Sequence, residues 1–341
     1  MDEARLRELL DGFSQIKIAV IGDFFLDKWL LIDRELDEPS LETGLTAYQV
    51  TGKRLAPGAA GTVTNNLAAL GVGEIYAVGF AGDDGEGYEL IQGLKASGVS
   101  TDYLHQTGDV FTPAYIKPLF MKQPFPEETH RLDIRNRKVT PASIENIVIE
   151  HLRGVCGKVD AVIALDQVIE ENTGTVTVRV RDVLAQLGSS RPELIIYADS
   201  RAHTAHYRNV IVKCNHIEAV GAIYPEWQGT ADEALVKKCA VSMAKRTGRQ
   251  VFVTWGENGI IAVKGREATK VPTVKVDGPI DICGAGDSAT AGIVCALCRG
   301  ASAEEAAFIA NLAASITIQQ IGTTGTASQT AILKRFNEMA P

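Results

Sequence analysis

The chain has 341 residues, of which 45% are hydrophobic and 22% are charged, and its formal net charge is -8. An acidic balance without a long basic run excludes a nucleic-acid-binding surface, and no apolar run is long enough to span a bilayer. No Pro- or Gly-rich linker divides the sequence, so we expect one large domain over 1–341, located in the cytoplasm.

Helical and strand-like patterns alternate along most of the chain, beginning with a charged amphipathic helix over 1–12. Strand-like apolar runs cover 18–21, 74–80, 159–165, 194–198, 209–212, 251–254 and 260–263. Helical patterns cover 62–70, 88–96, 172–187 and 231–246. This alternation predicts an α/β fold with a doubly wound, mostly parallel sheet and helices on both faces. Ligands of such folds bind beyond the carboxyl ends of the strands.

Two stretches, 28–53 and 111–137, break the alternation and are rich in β-formers, Pro and charge. We expect them to pair into a small β-sheet lid over the strand ends, where it would exclude water from a reaction site. Because open sheet edges favour pairing with another chain, the lid also predicts a homodimer.

Cysteine and histidine residues give weaker signals. The six cysteines are spread through apolar elements, which is typical of reduced, buried thiols, and the pair Cys295 and Cys298 falls inside a helical pattern without further metal ligands nearby. His203 and His206 lie in a polar loop and are expected to be a solvated surface pair rather than metal ligands.

The most informative segment is Asp281–Asp287, a glycine turn that opens an apolar helical run over 288–298. Gly284 and Gly286 allow the backbone to approach an anion, and the first N–H groups of the following helix are free to bind it. Asp287 lies in the first turn, where the helix dipole favours its ionised form and where it could remove a proton from a hydroxyl. The segment therefore predicts phosphoryl transfer.

Two other interpretations of this segment are open. It could be a helix start with an acidic cap and no chemistry. The pattern Gly284-x-Gly286-x-x-Ala289 also fits a dinucleotide fingerprint. Against the fingerprint, the stretch about twenty residues further on carries Glu304 and Glu305 at a helix start, not an acidic residue that closes a second strand.

Several motifs in chain order resemble those of the ribokinase-like (PfkB) carbohydrate kinase family. They are Gly22-Asp23-x-x-x-Asp27, Pro57-Gly58-Ala-Ala-Gly-Thr62, Asn215-His-Ile-Glu218, Thr254-Trp-Gly256-Glu-Asn-Gly259 and Asp281 to Asp287. The resemblance runs from about 18 to 325 and implies a doubly wound α/β domain with a β lid. It also implies ATP and Mg²⁺ as cofactors and a small-molecule sugar or sugar phosphate as substrate.

For the chemistry, the resemblance implies that Asp287 is the general base. The amides of Gly284, Ala285 and Gly286 would form an anion hole for the transferred phosphate. Asn215 and Glu218 would hold Mg²⁺ through water, and their oxygen atoms suit this ion.

For the nucleotide, the resemblance implies that Thr254, Gly256 and Gly259 line the phosphates or ribose. Asn311 would be a neighbour of the adenine, although it could equally be an amide on a helix surface. Some family members bind K⁺ beside the segment that matches Asp281, so K⁺ is a further expectation.

For the acceptor, the resemblance implies that Asp27, Gly58 and Thr62 contact the sugar. The sequence departs from the family here, because Ala59 replaces a second glycine and Thr62 replaces a sugar-contacting asparagine. Asn65 and Asn66, on the same helical segment, either compensate for the lost amide or are packing amides.

The lid sequence is similar to that of the heptose-7-phosphate kinase branch, through Thr112-Pro-Ala-Tyr-Ile-Lys117 and Arg131-Leu-Asp133. Lys53, Arg54, Lys117 and Arg131 could bind the substrate's own phosphate, or they could be solvated lid charges. Against that branch, its S-D-Y-x-K-G motif is replaced here by Leu165-Asp166-Gln-Val-Ile-Glu170.

The sequence therefore predicts an ATP-dependent kinase that acts on a hydroxyl of a sugar or sugar phosphate. Two alternatives remain, a catalytically silent sugar- or nucleotide-binding regulator of the same fold, and a nucleoside kinase. The altered positions Ala59 and Thr62 motivate the first, and Asp27, which would suit a ribose diol, motivates the second.

Overall fold

A nine-stranded, mostly parallel sheet forms the centre of this computed structural model, which describes residues 1–122 and 126–339. The predicted lid segment 111–137 and the predicted domain 1–341 thus include a few residues outside the described ones. The strands in chain order are β1 Lys17–Gly22, β2 Phe24–Ile32, β3 Glu38–Pro39, β4 Thr46–Ala47, β5 Val50–Ala59, β6 Glu74–Gly82, β7 Val99–Thr107, β8 Ala114–Phe120, β9 Glu127–Glu128, β10 Leu132–Ile134, β11 Ala161–Asp166, β12 Ile195–Ser200, β13 Ile211–Asn215, β14 Val251–Thr254, β15 Ile260–Lys264 and β16 Glu267–Val271. The α-helices are α1 Glu3–Asp11, α2 Ala60–Ala69, α3 Gly85–Ala96, α4 Ala142–Cys156, α5 Val178–Ser190, α6 His216–Ile223, α7 Glu233–Thr247, α8 Ala285–Cys298, α9 Ala303–Thr317 and α10 Gln329–Glu338.

The large sheet has the order β16-β15-β14-β13-β12-β11-β1-β6-β7. The seven strands β14, β13, β12, β11, β1, β6 and β7 pair in parallel. Strands β15 and β16 add an antiparallel edge beside β14. Alternate residues of β1 enter two different cores: Ile18 and Val20 pack with α1, α2, α8 and α9, whereas Ala19 and Ile21 pack with α4 to α7. Burial on both faces explains the nearly continuous apolar strands. The predicted fold class is confirmed.

A small sheet, consisting of β2, β5, β8, β9 and β10, stands at the carboxyl end of β1. Only Asp23 separates β1 from β2, so the small sheet leaves the large one directly at the edge where the parallel strands end. Two of its strands extend beyond the ends of the predicted segment 28–53, because β2 begins at Phe24 and β5 continues to Ala59. None of the helices in 1–122 and 126–339 is long and apolar enough to cross a membrane.

Two element boundaries differ from the predicted ones for backbone reasons. The strand predicted at 209–212 starts at Ile211, since Asn209 has φ +58 and cannot continue an extended chain. The helix predicted over 172–187 starts at Val178, where the Thr177 side chain caps it by accepting from the Val180 N–H.

The loop before α5 is held by Asp23, a buried carboxylate at the end of β1. Its oxygens accept hydrogen bonds from the backbone N–H groups of Gln167 (2.9 Å), Val168 (3.1 Å) and Thr175 (2.7 Å). Burial raises the pKa of Asp23 to about 6 despite these three donors. This loop is therefore fixed to the end of β1.

Two side-chain predictions are wrong. His203 is buried, and its Nδ1 lies 3.2 Å from Asp166 Oδ2 at the end of β11, so it belongs to the interior while His206 stays exposed. Cys283 is exposed, unlike the buried thiols that the sequence predicts. Both differences arise from loop placement, which local polarity does not determine.

Candidate functional site

The N-terminus of α8 lies at the carboxyl edge of the large sheet and starts with a left-handed turn. Gly284 has φ +81 and ψ -1, a conformation that glycine adopts without strain, and no side chain caps the helix. The Ala285 N–H donates to Ile282 O (3.2 Å) and closes the turn. Among the described residues no hydrogen bond uses the N–H groups of Gly286 and Asp287. Within the described residues the Gly284 N–H likewise makes no hydrogen bond, so two of the three predicted amides, those of Gly284 and Gly286, are unengaged, and that of Ala285 closes the turn.

Asp287 is half-buried in the first turn of α8, and its proton affinity is increased. Burial, with the charges of Asp199 and Asp27, raises its pKa to about 7 against the opposing charge of Lys213. A carboxyl group that titrates near neutrality can both hold and release a proton at physiological pH.

A buried ion pair lies beneath this turn. Lys213 in β13 places Nζ 2.6 Å from Asp199 Oδ2 in β12, and the same oxygen accepts from Thr290 Oγ1 of α8 at 3.1 Å. Sequence reasoning missed all three residues. The available signal was a lysine inside an otherwise apolar strand, next to Val212 and Cys214.

Asp281 joins two loops beside the turn. Its Oδ1 accepts from the Cys283 N–H (3.0 Å), its Oδ2 accepts from the Gly322 N–H (3.2 Å), and its own N–H donates to Ile318 O (2.7 Å). Both carboxylate oxygens are therefore engaged in fixing the loop after α9 to the loop before α8.

One face of the small sheet carries a charged cluster that points at this turn. In register, Asp27 pairs with Tyr115 and Trp29 pairs with both Arg54 and Lys117, so these side chains share one face. Arg54 Nη2 donates to Gly322 O at 3.0 Å, which places that face over the Asp281 loop. Asp27 lies close enough to Asp287 for its charge to raise the pKa of that carboxyl, so the cluster and the predicted base face one another.

Asp27 lies within the cluster, 3.5 Å from Lys117 Nζ. Burial raises its pKa, and Lys117 and then Arg131 oppose that shift. Gly58 lies directly against this carboxylate, because a Cβ at position 58 would collide with Asp27 Oδ2. Glycine is therefore required at 58 for Asp27 to keep its position. Lys28, the next residue, points to the other face and pairs with Glu86 and Glu89 of α3.

The basic residues of the small sheet differ in how closely they are already paired with a carboxylate. Arg131 makes a two-pronged contact with Asp133 (2.7 and 2.9 Å) and lies 4.3 Å from the centre of the Tyr115 ring. Lys117 and Arg54 flank the Trp29 ring at 4.9 and 4.1 Å. An anion in the cleft would meet Lys117 and Arg54 without first breaking a pair as close as that of Arg131.

The start of α2 shows why the departure at Ala59 matters. Ala59 has φ +51 and ψ -114, a conformation that favours glycine. Thr62 is buried in the first turn of α2. The Asn66 amide donates to Thr62 O (2.9 Å), and Asn65 Oδ1 accepts from Ser97 Oγ (3.0 Å). Both asparagine side chains are thus used in packing contacts, which favours the packing alternative.

Asn215 and Glu218 are brought together at the end of β13. Asn215 Oδ1 accepts from the Glu218 N–H (2.9 Å), and Glu218 Oε2 accepts from the Asn215 N–H (2.8 Å), a reciprocal capping box for α6. Burial raises the pKa of Glu218. The cap uses the amide oxygen of Asn215 and Oε2 of Glu218, and it leaves the second carboxylate oxygen of Glu218 outside it.

These residues fit a water-coordinated Mg²⁺ rather than a directly bound metal. In the part of the chain that the structure describes, no group of three or more His, Cys, Asp or Glu side chains is placed to hold a metal ion. Mg²⁺ keeps several waters and binds one or two carboxylates together with phosphate oxygens. The free oxygen of Glu218 suits a metal-bound water.

Thr254 and the glycines after it form a tight turn between β14 and β15. Thr254 Oγ1 donates to Cys214 O (3.3 Å), and its strand neighbour in register is Asn215. Gly256 has φ +50 and Gly259 has φ +88, conformations that favour glycine, and at Gly259 a Cβ would also collide with Val271 O. The turn is therefore positioned beside the capping box.

Asn311 is buried in α9 and is not an amide on the helix surface. Its Nδ2 donates to Val271 O (3.2 Å) and Pro272 O (2.9 Å). Val271 also faces Gly259, where a Cβ would collide with its carbonyl oxygen. Asn311 therefore fixes the end of β16 against the turn that contains Gly259.

A family model described as "pfkB family carbohydrate kinase" matches 15–123 and 133–331. Curated relatives include the "Bifunctional protein HldE" of Trichlorobacter lovleyi, 27% identical over 326 residues, with 95% of this chain and 63% of the relative covered. The HldE protein of Pelobacter propionicus is 26% identical over 330 residues, with 95% and 64% covered. The chain therefore spans just under two thirds of the length of these relatives.

Solved structures share the fold at low sequence identity. Ribokinase of Arabidopsis thaliana, complexed with ribose and ATP, matches with a TM-score of 0.66 and 18% identity over 94% of this chain and 98% of that one. Phosphofructokinase-2 of Escherichia coli, in complex with potassium, matches with a TM-score of 0.71 and 17% identity over 95% and 99%.

Proposed function

Because the chain belongs to the pfkB family of carbohydrate kinases, we propose that it transfers the γ-phosphoryl group of ATP to a hydroxyl of a sugar or sugar phosphate. One observation carries this proposal. Asp287, with its pKa raised to about 7, lies beside the free N–H groups at the start of α8 and opposite Asp27 of the small sheet. Base, anion site and acceptor contact thus share one cleft.

In this mechanism Asp27 accepts a hydrogen bond from the acceptor sugar and orients it. Asp287 removes the proton from the attacking hydroxyl while the oxygen of that hydroxyl bonds to the γ-phosphorus. The bond between the γ-phosphorus and the oxygen that bridges to the β-phosphate breaks at the same time. The N–H groups of Gly286 and Asp287, with the positive end of the α8 dipole, stabilise the charge on the transferred group. The products are ADP and the phosphorylated sugar, with the proton left on Asp287.

Glu218 and Asn215 would hold Mg²⁺ through its waters, and the ion would neutralise charge on the nucleotide phosphates. Thr254, Gly256 and Gly259 would line the nucleotide, with Asn311 fixing the adjoining backbone. K⁺ would bind oxygen atoms of the loop pair that Asp281 joins, as a fixed charge beside the turn.

A phosphorylated sugar fits the cleft because the cleft contains positively charged side chains. Lys117 lies beside Asp27, and Arg54 flanks Trp29 on the same face and donates to Gly322 O. A second phosphate on the acceptor would bind these cations while its hydroxyl reaches Asp287. Heptose phosphate is one such acceptor.

The small sheet would act as a lid over this cleft and as a dimer contact. Strand β5 is its edge strand, and the hairpin before it exposes Leu41, Leu45 and Tyr48. A second copy of the chain would cover this apolar edge.

The proposal is tested by measuring Mg·ATP-dependent ADP release with free sugars, sugar phosphates and nucleosides, for the wild type and for Asp287→Asn. We expect turnover on one sugar or sugar phosphate. The substitution removes the base, so kcat should fall by about two or more orders of magnitude.

The matched control is Asp277→Asn, an exposed carboxylate on the loop before the turn, which should leave kcat unchanged. Full activity of Asp287→Asn would refute the role of this carboxylate. Saturable binding of ATP with no turnover on any acceptor would instead support the non-catalytic regulator. Turnover confined to nucleosides would support the nucleoside kinase.

A further inference from the structure

Lys213 is a buried cation at the centre of the molecule. It lies between Val212 and Cys214 in β13, both fully buried, and its own side chain is 7% exposed. Its Nζ is 2.6 Å from Asp199 Oδ2. A buried charge is tolerated when it is paired and hydrogen-bonded, and this pair meets both conditions.

The pair is connected to the catalytic helix by two contacts. Asp199 Oδ2 accepts from Thr290 Oγ1, one turn beyond Asp287 (3.1 Å). Lys213 Nζ lies 3.1 Å from the point that a Cβ of Gly286 would occupy. The cation is therefore directly beneath the backbone that offers its N–H groups to an anion.

The charges that face Asp287 come from three strands. Asp199 in β12 and Asp27 in β2 raise its pKa, and Lys213 in β13 lowers it. Glu218 of α6 acts on Lys213, and Lys117 of β8 acts on Asp27. Of the helices that pack against α8, α2 has no ionisable side chain and α9 has Glu304 and Glu305 in its first turn. The Cys283 thiol, in the loop before α8, has its pKa raised by burial and by the charges of Asp281, Asp27 and Asp287.

We propose that Lys213 and Asp199 form a positioning pair, which fixes the first turn of α8 and places two opposed charges beside Asp287, the proposed base. The role as base rests on the proposed function, whereas the pairing of charges does not. Neither residue is placed in contact with the substrate.

The test is a ¹³C NMR titration of the full chain labelled with [4-¹³C]aspartate, without ligands. The resonance that disappears in Asp287→Asn identifies the Asp287 carboxyl. Lys213→Met removes the cation and should raise the Asp287 pKa by about one unit, whereas Asp199→Asn removes the anion and should lower it by about one unit. Opposite signs are the signature, since a purely structural disturbance has no reason to follow the charge that was removed.

Two further variants control for folding. Lys213→Arg keeps the charge and should leave the Asp287 titration nearly unchanged. The double variant Lys213→Met/Asp199→Asn contains no unpaired buried charge and should titrate close to the wild type. If Lys213→Met fails to fold, by circular dichroism, a downward shift in Asp199→Asn that the double variant reverses still decides the matter.

Shifts in the same direction, or no shift in Asp199→Asn, would overturn the proposal. This outcome is independent of ADP release. A kinase that loses activity in Asp287→Asn but shows no opposed shifts would retain its proposed function without the positioning pair. Opposed shifts in a protein whose activity survives Asp287→Asn would establish the pair and remove the base.

Discussion

At the residue scale, the cleft depends on backbone conformations that few residue types adopt easily. Gly284 starts α8 at φ +81, where a glycine is strain-free. Ala59 starts α2 at φ +51, although it carries a side chain. A non-glycine residue in such a region costs about 1–3 kcal/mol. The start of α2 therefore contains local strain that the glycine of the family pattern would not have.

Ala59→Gly should stabilise the protein. Relief of the strain exceeds the extra conformational entropy that glycine gains in the unfolded chain, so the free energy of unfolding should rise by about 0.5–1 kcal/mol. The measurement is urea denaturation. The neighbouring Ala60→Gly, at the first helical position of α2, is the matched control and should be destabilising. A loss of stability in Ala59→Gly would show that the strain is absent in solution.

At the element scale, sequence patterns predict the elements but not the contacts that end them. The apolar runs of β1 and β11 are visible because burial on both faces requires them. The fixed path of the loop before α5 is not visible, because it depends on Asp23, which binds N–H groups about 150 residues away. Contacts of this kind join residues that are far apart in the sequence, so the local hydrophobic periodicity does not predict them.

Asp23→Ala should therefore destabilise the loop between β11 and α5. Three N–H donors, one buried and two partly buried, lose their acceptor at about 1 kcal/mol each, so the free energy of unfolding should fall by about 2–4 kcal/mol. Burial raises the pKa of Asp23 to about 6, so the folded protein loses part of this stabilisation as the carboxyl ionises, and denaturation is best compared at pH 5, below that pKa. Asp83→Ala, at an exposed position, should change stability by less than about 0.5 kcal/mol. Equal effects of the two substitutions would contradict the role of Asp23.

At the scale of the whole molecule, the sequence predicts the fold better than the site. The glycine turn and the ordered motifs are local, so Asp287 and the capping pair Asn215 and Glu218 can be found from their spacing. The partners Lys213 and Asp199 cannot, because parallel strands bring together side chains that nothing in their spacing connects. Sequence reasoning therefore finds the groups that would act and misses the groups that adjust them.

The proposed dimer is tested at this scale. We expect light scattering after size-exclusion chromatography to give twice the chain mass of 36.6 kDa at micromolar concentration. The double substitution Leu41→Glu/Leu45→Glu places charge on the exposed edge and should give monomers. Val139→Glu, another exposed apolar residue outside the small sheet, is the control. A wild type that is monomeric throughout would refute the contact.

The arrangement around Trp29 has an optical consequence. The buried indole of this residue is flanked by the cations of Lys117 and Arg54, and Arg54 in turn holds Gly322 of the loop that Asp281 fixes. An indole's emission energy depends on the electric field across the ring, and that field here is set by two positive groups that an anionic acceptor would neutralise. Trp29 is thus an intrinsic fluorophore whose emission wavelength should shift when an anionic acceptor binds beside it.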